Sequence, residues 1–306
     1  MQLSKNQLFH LTLCFILAVS MIATAEFTQE KEIIFPEITA LAIGAWIAPK
    51  QVWYVNRITM IILISVNACL GVCISTFVLL PLYFKSMLGL FCAVLSVILS
   101  RSTFFPAVSA CVLPIFLNTK GWIYPVSAII MTVIICGIQW FLEKIEKSKI
   151  NQKQLCFKPQ MQELKLWFLR YIFLLVVAIF PLNLGQCFFV APPLIVAFIE
   201  FTQPNSPAIG KIKIIFLLMI TAAFGGTIIR LIFTVGLNMP LTVSAMITIL
   251  LLLAVMSITK VYFPPAGAIA ILPMLIDKNL LIFYPFEVII GFIILYFMAL
   301  IIRKIT

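Results

Sequence analysis

The residues best suited to do chemistry are six prolines that begin short apolar segments. They are Pro36, Pro106, Pro192, Pro193, Pro264 and Pro265. Proline fits the first turn of a helix, because its missing N–H would be unpaired there anyway. The remaining N–H groups and the dipole at a helix start bind an anion without any charged side chain. These segments therefore predict a small-anion site, with Gly267 allowing close backbone approach.

Arg230 is the charged residue that stands out inside an apolar run, Phe224 to Phe233. An arginine in a spanning helix costs on the order of 3 kcal/mol unless it faces protein or water. Two interpretations stay open: it pairs with an anion in the transport path, or it extends to the outer membrane interface. The matching place in the first half holds an apolar residue, Val72 or Cys73, so a site with Arg230 would be asymmetric.

Two glutamates follow prolines at helix starts and complete the candidate site. Glu37 comes directly after Pro36, and Glu287 comes two residues after Pro285. The helix dipole favours a carboxylate at such a position. Each glutamate is therefore either a simple helix cap or a residue that couples transport to a proton.

Metal and acid–base chemistry have little to build on in this chain. It has 1 histidine, His10, and 8 cysteines, none of which forms a Cys-x-x-Cys pair. Metal sites and catalytic triads need clusters of such residues. We expect no metal, no cofactor and no enzymatic activity, since polar side chains for proton transfer are also sparse.

Composition places the chain in a membrane. Hydrophobic residues make up 63% and charged residues 10%, against about 25% charged in soluble domains. The lipid bilayer is therefore a predicted partner. We attribute the net charge of +11 to basic loops on the cytoplasmic side and not to nucleic-acid binding, because basic residues fall mainly in loops on one side.

An internal duplication organises the sequence. Residues 105–114 resemble residues 264–273, about 159 positions later, and a Tyr-Pro pair follows each run at Tyr124 and Tyr284. Duplication with proline-started short segments is typical of transporters. We predict an all-α, polytopic transmembrane helical bundle with two repeats, 1–142 and 166–306, joined by a cytoplasmic linker at 143–165.

Each repeat divides into six apolar segments, of which the second and fifth are short. The predicted segments are 8–25, 33–48, 58–84, 86–100, 103–117, 121–142, 166–185, 188–202, 213–237, 240–259, 262–276 and 280–302. Fifteen helical residues reach about 22 Å, less than the roughly 30 Å of bilayer hydrocarbon. The short segments should therefore lie inside the bundle, where neighbours cover their backbone. Ordinary tilted helices with proline kinks are the alternative.

The basic residues predict the orientation of the segments. If all twelve cross, with both termini cytoplasmic, most lysines and arginines lie inside. Making the short segments re-entrant would move several of these outside. Six crossings per repeat is an even number, so the repeats should be parallel. Residues 1–25 resemble a signal peptide, but the internal counterpart at 166–185 favours a retained first helix.

The second half resembles the HPP family of integral membrane proteins. Residues 263–268 read Phe-Pro-Pro-Ala-Gly-Ala, against the family pattern His-Pro-Pro-Ala-Gly-Ala, and 193–198 and 204–207 resemble two further family elements. The resemblance covers roughly 188–302, with a degenerate copy at 33–142. It implies a transporter, and nitrite is the substrate associated with some members. Phe263 replaces the family's histidine, so any role of that histidine is absent.

Three functional hypotheses follow. The first is a transporter of a small, nitrite-like anion in a bacterial inner membrane, holding its substrate at the helix starts between the two repeats. The second is an exporter of organic or aromatic acids, because Gly225, Gly226, Thr227 and Arg230 also resemble, more weakly, the fusaric-acid-resistance exporters. The third is a non-transporting membrane assembly partner. A second copy of the chain is a further partner to consider.

Overall fold

A computed structural model of the protein describes residues 5–49, 52–145, 161–204 and 206–305. Most of the predicted linker at 143–165 lies outside these ranges. Within them the chain is helical, and no strand occurs. The prediction of an all-α fold is therefore confirmed.

Twelve helices follow one another in the described residues and match the twelve predicted segments in order. They are α1 (Lys5–Thr28), α2 (Glu37–Ala42, continued by a π-helical turn Ile43–Ile47), α3 (Arg57–Phe77), α4 (Leu82–Leu99), α5 (Pro106–Phe116), α6 (Ile123–Ile145), α7 (Met161–Asn183), α8 (Pro192–Phe201), α9 (Ile209–Gly236), α10 (Leu241–Thr259), α11 (Pro264–Leu275) and α12 (Tyr284–Ile305).

One predicted boundary is wrong. The segment 58–84 was expected to be continuous, but α3 ends at Phe77 and α4 begins at Leu82. Val78 has an extended backbone, and so does Pro81, the N-cap of α4. Proline disfavours helical geometry in the residue before it, so the apolar run is divided although its composition does not change.

Length and burial separate the helices into two classes. Eight of those described are long and apolar enough to cross a membrane, and the other four, α2, α5, α8 and α11, are shorter. Every residue of α11 is buried, whereas no long helix has more than 50% of its most apolar 18-residue window buried. The predicted interior position of the short helices is therefore confirmed.

The helices form two compact units that do not coincide with the sequence repeats. Unit 1 contains Met1–Lys50 and Ser206–Ile290, and unit 2 contains Gln51–Asn205 and Gly291–Thr306. In unit 1, α2 of the first repeat packs against α11 of the second; in unit 2, α5 packs against α8. Each unit thus combines one short helix from each repeat. The repeat boundaries themselves stay a prediction.

In unit 2, a glycine of a long helix holds a short helix at backbone distance. A Cβ built on Gly71 of α3 would lie 2.6 Å from Cγ of Pro114 in α5 and even closer to the carbonyl oxygen of Cys111. Only glycine leaves room for such an approach. The proline inside α5 therefore packs against the gap that Gly71 leaves.

Unit 1 repeats this contact with residues from the other repeat. A Cβ on Gly226 of α9 would lie 2.9 Å from the carbonyl oxygen of Ala270 and 3.1 Å from Cγ of Pro273, both in α11. Ala270 and Pro273 each lie 159 residues after their counterparts in α5. The proline inside each of these short helices, Pro114 or Pro273, thus marks the point where a long helix covers a short one.

The Tyr-Pro pairs of the duplicated motif have a matched role as well. The buried Tyr124 hydroxyl donates to the carbonyl of Ala110 at 3.1 Å, and the buried Tyr284 hydroxyl donates to the carbonyl of Ile269 at 2.7 Å. Both acceptors lie in the middle of a short helix. A buried tyrosine hydroxyl needs a partner, and here that partner ties the sixth helix of a repeat to its fifth.

Replacing Gly71 with alanine should destabilise the protein. The new methyl group would clash with the α5 backbone, and overpacking of this kind costs about 1–3 kcal/mol or more. Gly137 of α6 is the matched control, since nothing lies within 4 Å of its Cβ position. Gly137→Ala should stabilise its helix by about 0.5–1 kcal/mol. Thermal unfolding in detergent compares the two, and equal melting temperatures would contradict the packing account.

Candidate functional site

The first turns of α2 and α11 meet inside unit 1. A Cβ on Gly267, the fourth residue of α11, would lie 3.2 Å from the amide nitrogen of Ala40 and 3.2 Å from the carbonyl carbon of Thr39. Thr39 and Ala40 are the third and fourth residues of α2. The structure therefore brings the helix start at Pro36 together with the helix start at Pro264 and Pro265.

Both helices begin in the interior because buried lead-in residues precede them. Ile34 and Phe35 before α2 are 1% and 0% exposed, and Phe263 before α11 is 2% exposed. Ile34 and Phe263 have extended backbones. An extended residue advances the chain about 3.3 Å, twice the helical rise. A few such residues carry the chain well into the protein before its first helical turn.

The N–H groups at these starts are largely used or missing. Pro264 and Pro265 have none, and the N–H of Ala266 donates to a carbonyl of the preceding turn at 3.1 Å. In α2, the N–H groups of Ile38 and Thr39 make similar bonds of 3.0 and 3.3 Å. An anion here would therefore interact with the two helix dipoles and with side chains more than with free N–H groups.

Two buried polar side chains lie in the first turn of α2. Thr39 is 1% exposed, and its hydroxyl has no hydrogen-bond partner among the described residues. Glu37, the first residue of α2, is 2% exposed. A hydroxyl can donate a hydrogen bond to an anion, and a buried carboxylate can take up and release a proton. The first turn of α2 thus offers groups for both substrate and proton.

Unit 1 also contains irregular helix geometry. A π-helical turn, Ile43–Ile47, continues α2, and two further π-helical stretches, Thr221–Gly225 and Arg230–Gly236, interrupt α9. Among the described residues, unit 2 has no such stretch. Single π-turns inside α-helices often occur at functional sites. This observation favours unit 1 over unit 2 as the place of the main site.

Arg230 lies at the opposite end of α11 from the helix starts. It is 4% exposed, and its Nη1 donates to the carbonyls of Pro273 and Ile276, the second at 2.7 Å. Nine residues of helix separate Pro273 from Pro264, about 14 Å. The structure therefore does not place Arg230 at the helix starts. Its observed contacts satisfy carbonyls at the end of α11, and a role in substrate binding stays a prediction.

The counterpart of Arg230 in the first repeat is Ser75, and the expected match to Val72 or Cys73 is wrong. The glycine contacts align Gly226 with Gly71, and the same 155-residue separation aligns Arg230 with Ser75. Ser75 is 2% exposed, and its hydroxyl has no partner among the described residues. The position is polar in both repeats, but only the second repeat has a charge there.

The remaining predicted site residues fall in three places. Pro106 begins α5, and Pro192 and Pro193 begin α8, so these three lie in unit 2. All three are buried, and α5 packs against α8. Glu287 lies in the first turn of α12 and is 8% exposed. Their part in substrate binding stays a prediction.

Sequence reasoning missed two buried polar residues, Thr39 and Arg170. Nothing in the sequence distinguishes Thr39 from other threonines, because its importance depends on the contact with Gly267. Arg170 did have a signal, since it is the only charge in the predicted segment 166–185. It is 2% exposed in the structure.

Comparison with known proteins agrees with the sequence motifs. The family model of the HPP transmembrane region matches residues 159–306. The resemblance to the HPP family is therefore confirmed over the second half of the chain. No curated protein and no solved structure matches.

Replacing Arg230 with alanine should lower stability, because two carbonyls at the end of α11 would lose their donor. We expect a loss of about 2–4 kcal/mol, read as a lower unfolding temperature of the purified protein. Arg230→Lys should keep part of this stability, since an ammonium group can still donate a hydrogen bond to a carbonyl. If Arg230→Ala instead keeps full stability and binds anions more weakly, Arg230 belongs to the substrate site.

Proposed function

We propose, from the premise that residues 159–306 are an HPP transmembrane region, that the protein transports a small, nitrite-like anion. The substrate would bind where the first turns of α2 and α11 meet in unit 1. The observation that carries the proposal is the backbone contact at Gly267, because it brings two helix starts, one from each repeat, to the same point in the protein interior.

Two converging helix starts suit a singly charged anion. Each helix has a partial positive charge at its N-terminus, so the two fields add where the first turns meet. Electrostatic attraction is stronger in a water-poor interior than in solution. The partner-free hydroxyl of Thr39 would donate a hydrogen bond to the anion, which would otherwise lose its hydration without replacement.

Glu37 gives the site a means of coupling to protons. An ionised carboxylate near the anion would repel it, and a bound anion favours the protonated acid. We therefore propose that the anion and a proton bind together, with Glu37 as the proton carrier. This arrangement makes the loaded site nearly neutral, which lowers the cost of moving it through the membrane interior.

Ion pairs between loops support the proposed crossings. Lys31, after the first predicted segment, and Asp277, after the eleventh, lie 3.4 Å apart in unit 1. Arg57, after the second segment, and Glu143, after the sixth, form an ion pair in unit 2. Each pair joins two loops that an even number of predicted crossings separates, so both residues of a pair lie on one side of the membrane. We propose that the protein resides in a bacterial inner membrane with both termini cytoplasmic, as the positions of its basic residues predict.

Flux into proteoliposomes tests the function directly. Purified protein would be assayed with nitrite, nitrate, formate and benzoate, with and without a proton gradient. We expect saturable nitrite flux that an inward proton gradient stimulates. Flux of benzoate alone would support an exporter of aromatic acids instead. No flux from folded protein would leave a non-transporting assembly partner as the better explanation.

Thr39→Val tests the binding site. Valine keeps the shape and removes only the hydroxyl, so KM for nitrite should rise about tenfold, the value of one hydrogen bond to a charged group. The melting temperature should hold or rise, because an unpaired buried hydroxyl is lost. Thr132→Val in α6 is the control, since that buried hydroxyl is bonded within its own helix to Ala128. Equal KM values in the two variants would contradict the site.

Glu37→Gln tests the coupling. Glutamine cannot carry a proton, so stimulation by the proton gradient should disappear while exchange of nitrite across the membrane continues. The measurement is the ratio of flux with and without the gradient in wild type and variant. A variant that keeps the wild-type ratio would assign the proton to another residue.

A further inference from the structure

Arg170 is a buried arginine in α7, outside the site proposed above. Its Nε donates to the hydroxyl of Thr202 at 2.7 Å. That hydroxyl in turn donates to the carbonyl of Ile199 at 2.7 Å. Thr202 is the C-cap residue of α8, so the guanidinium lies at the negative end of that helix dipole. These bonds fix the position of the arginine.

Aromatic rings hold the same guanidinium on another side. Its central carbon lies 4.6 Å from the ring centre of Trp167, a distance that suits cation–π attraction. The Trp167 ring contacts the Phe105 ring edge-on, with centres 5.8 Å apart. Phe105 is the residue directly before α5. The ring contacts therefore connect the guanidinium to the start of a short helix.

The fixed guanidinium still has a donor group to offer. Its Nη2 is buried and has no hydrogen-bond partner among the described residues. Glu163 of the same helix interacts electrostatically with Arg170, but no carboxylate of those residues lies within 4.0 Å of it. Arg303, in contrast, donates to the carbonyl of Phe201, the last residue of α8, and to those of Gln203 and Pro204 after it. A buried cation that forms no close ion pair and keeps an unused donor points to a ligand with a negative charge and oxygen acceptors.

We propose that Arg170 is the binding residue of a second anion site, in unit 2, that takes a singly charged oxyanion group. One oxygen of the ligand would accept from Nη2, while Thr202 and Trp167 keep the guanidinium in place. The identification of the ligand as a small nitrite-like ion rests on the proposed function. The site itself does not, because a lipid phosphodiester has the same charge and oxygen acceptors.

The surroundings of Arg170 favour a ligand with one negative charge over a ligand with two. Trp167 and Phe105 give the site an aromatic wall, and the only cation that contacts this wall among the described residues is Arg170. A dianion would keep one charge unpaired in an apolar place, which is costly. The start of α5 beyond Phe105 adds a partial positive charge but cannot neutralise a second full one.

Anion-dependent thermal stabilisation of the purified full chain tests the site. Wild type, Arg170→Ala and Arg170→Lys would be melted in detergent with sodium nitrite or with sodium chloride, which has no oxygen acceptor, at equal ionic strength. A separate arm adds phosphatidylglycerol, which tests a lipid headgroup as the ligand. We expect an apparent affinity about tenfold weaker in both variants for whichever ligand stabilises wild type, because a lysine lacks the planar fork.

Arg303→Ala is the matched control, since Arg303 also ties the end of α8 but has carbonyl partners. It should lower the melting temperature and keep the full anion shift. If Arg170→Ala does not fold, the anion affinity of Arg170→Lys alone tests the site. Variants that keep wild-type affinity, or a wild type that neither ligand stabilises, would overturn the proposal. Binding that depends on Arg170 without any nitrite flux would support this site and reject the transport function.

Discussion

The fold depends on one constraint: a helix too short to cross the membrane must be covered by protein on every side. Lipid offers no hydrogen bonds to the irregular backbone before and after such a helix. The protein meets this constraint with backbone-to-backbone packing, in which Gly71 and Gly226 of long helices approach the interiors of α5 and α11. Tyr124 and Tyr284 add hydrogen bonds to the same two helices.

The pairing of short helices gives the two units of a duplicated chain a common plan with different local contacts. Each unit takes one short helix from each repeat, so both units share a plan. Their details differ at the helix contact, because Gly267 of α11 corresponds to Val108 of α5 at the 159-residue separation. The glycine at the helix contact, the partner-free Thr39 and the π-helical stretches all occur in unit 1. Unit 2 has Arg170 instead.

Much of this architecture could be predicted from the sequence, because hydrophobic runs and prolines are local signals. The starts of α5 and α11 were predicted from Pro106 and Pro264, and the interior position of the short helices followed from their length. The break at Pro81 was missed because the apolar run continues through it. The pairing of α2 with α11 could not be predicted, since a contact between distant segments leaves no local pattern. Thr39 was missed for the same reason.

The proposed anion site, where the first turns of α2 and α11 meet, can be tested by locating a bound ion directly. Bromate is a singly charged oxyanion whose bromine scatters X-rays anomalously, so it can be located directly in a crystal of the protein. We expect an anomalous peak within hydrogen-bond distance, roughly 3 Å, of the Thr39 hydroxyl, on the side where Gly267 approaches. Bound bromate elsewhere in the protein, with no peak at Thr39, would contradict the proposed site.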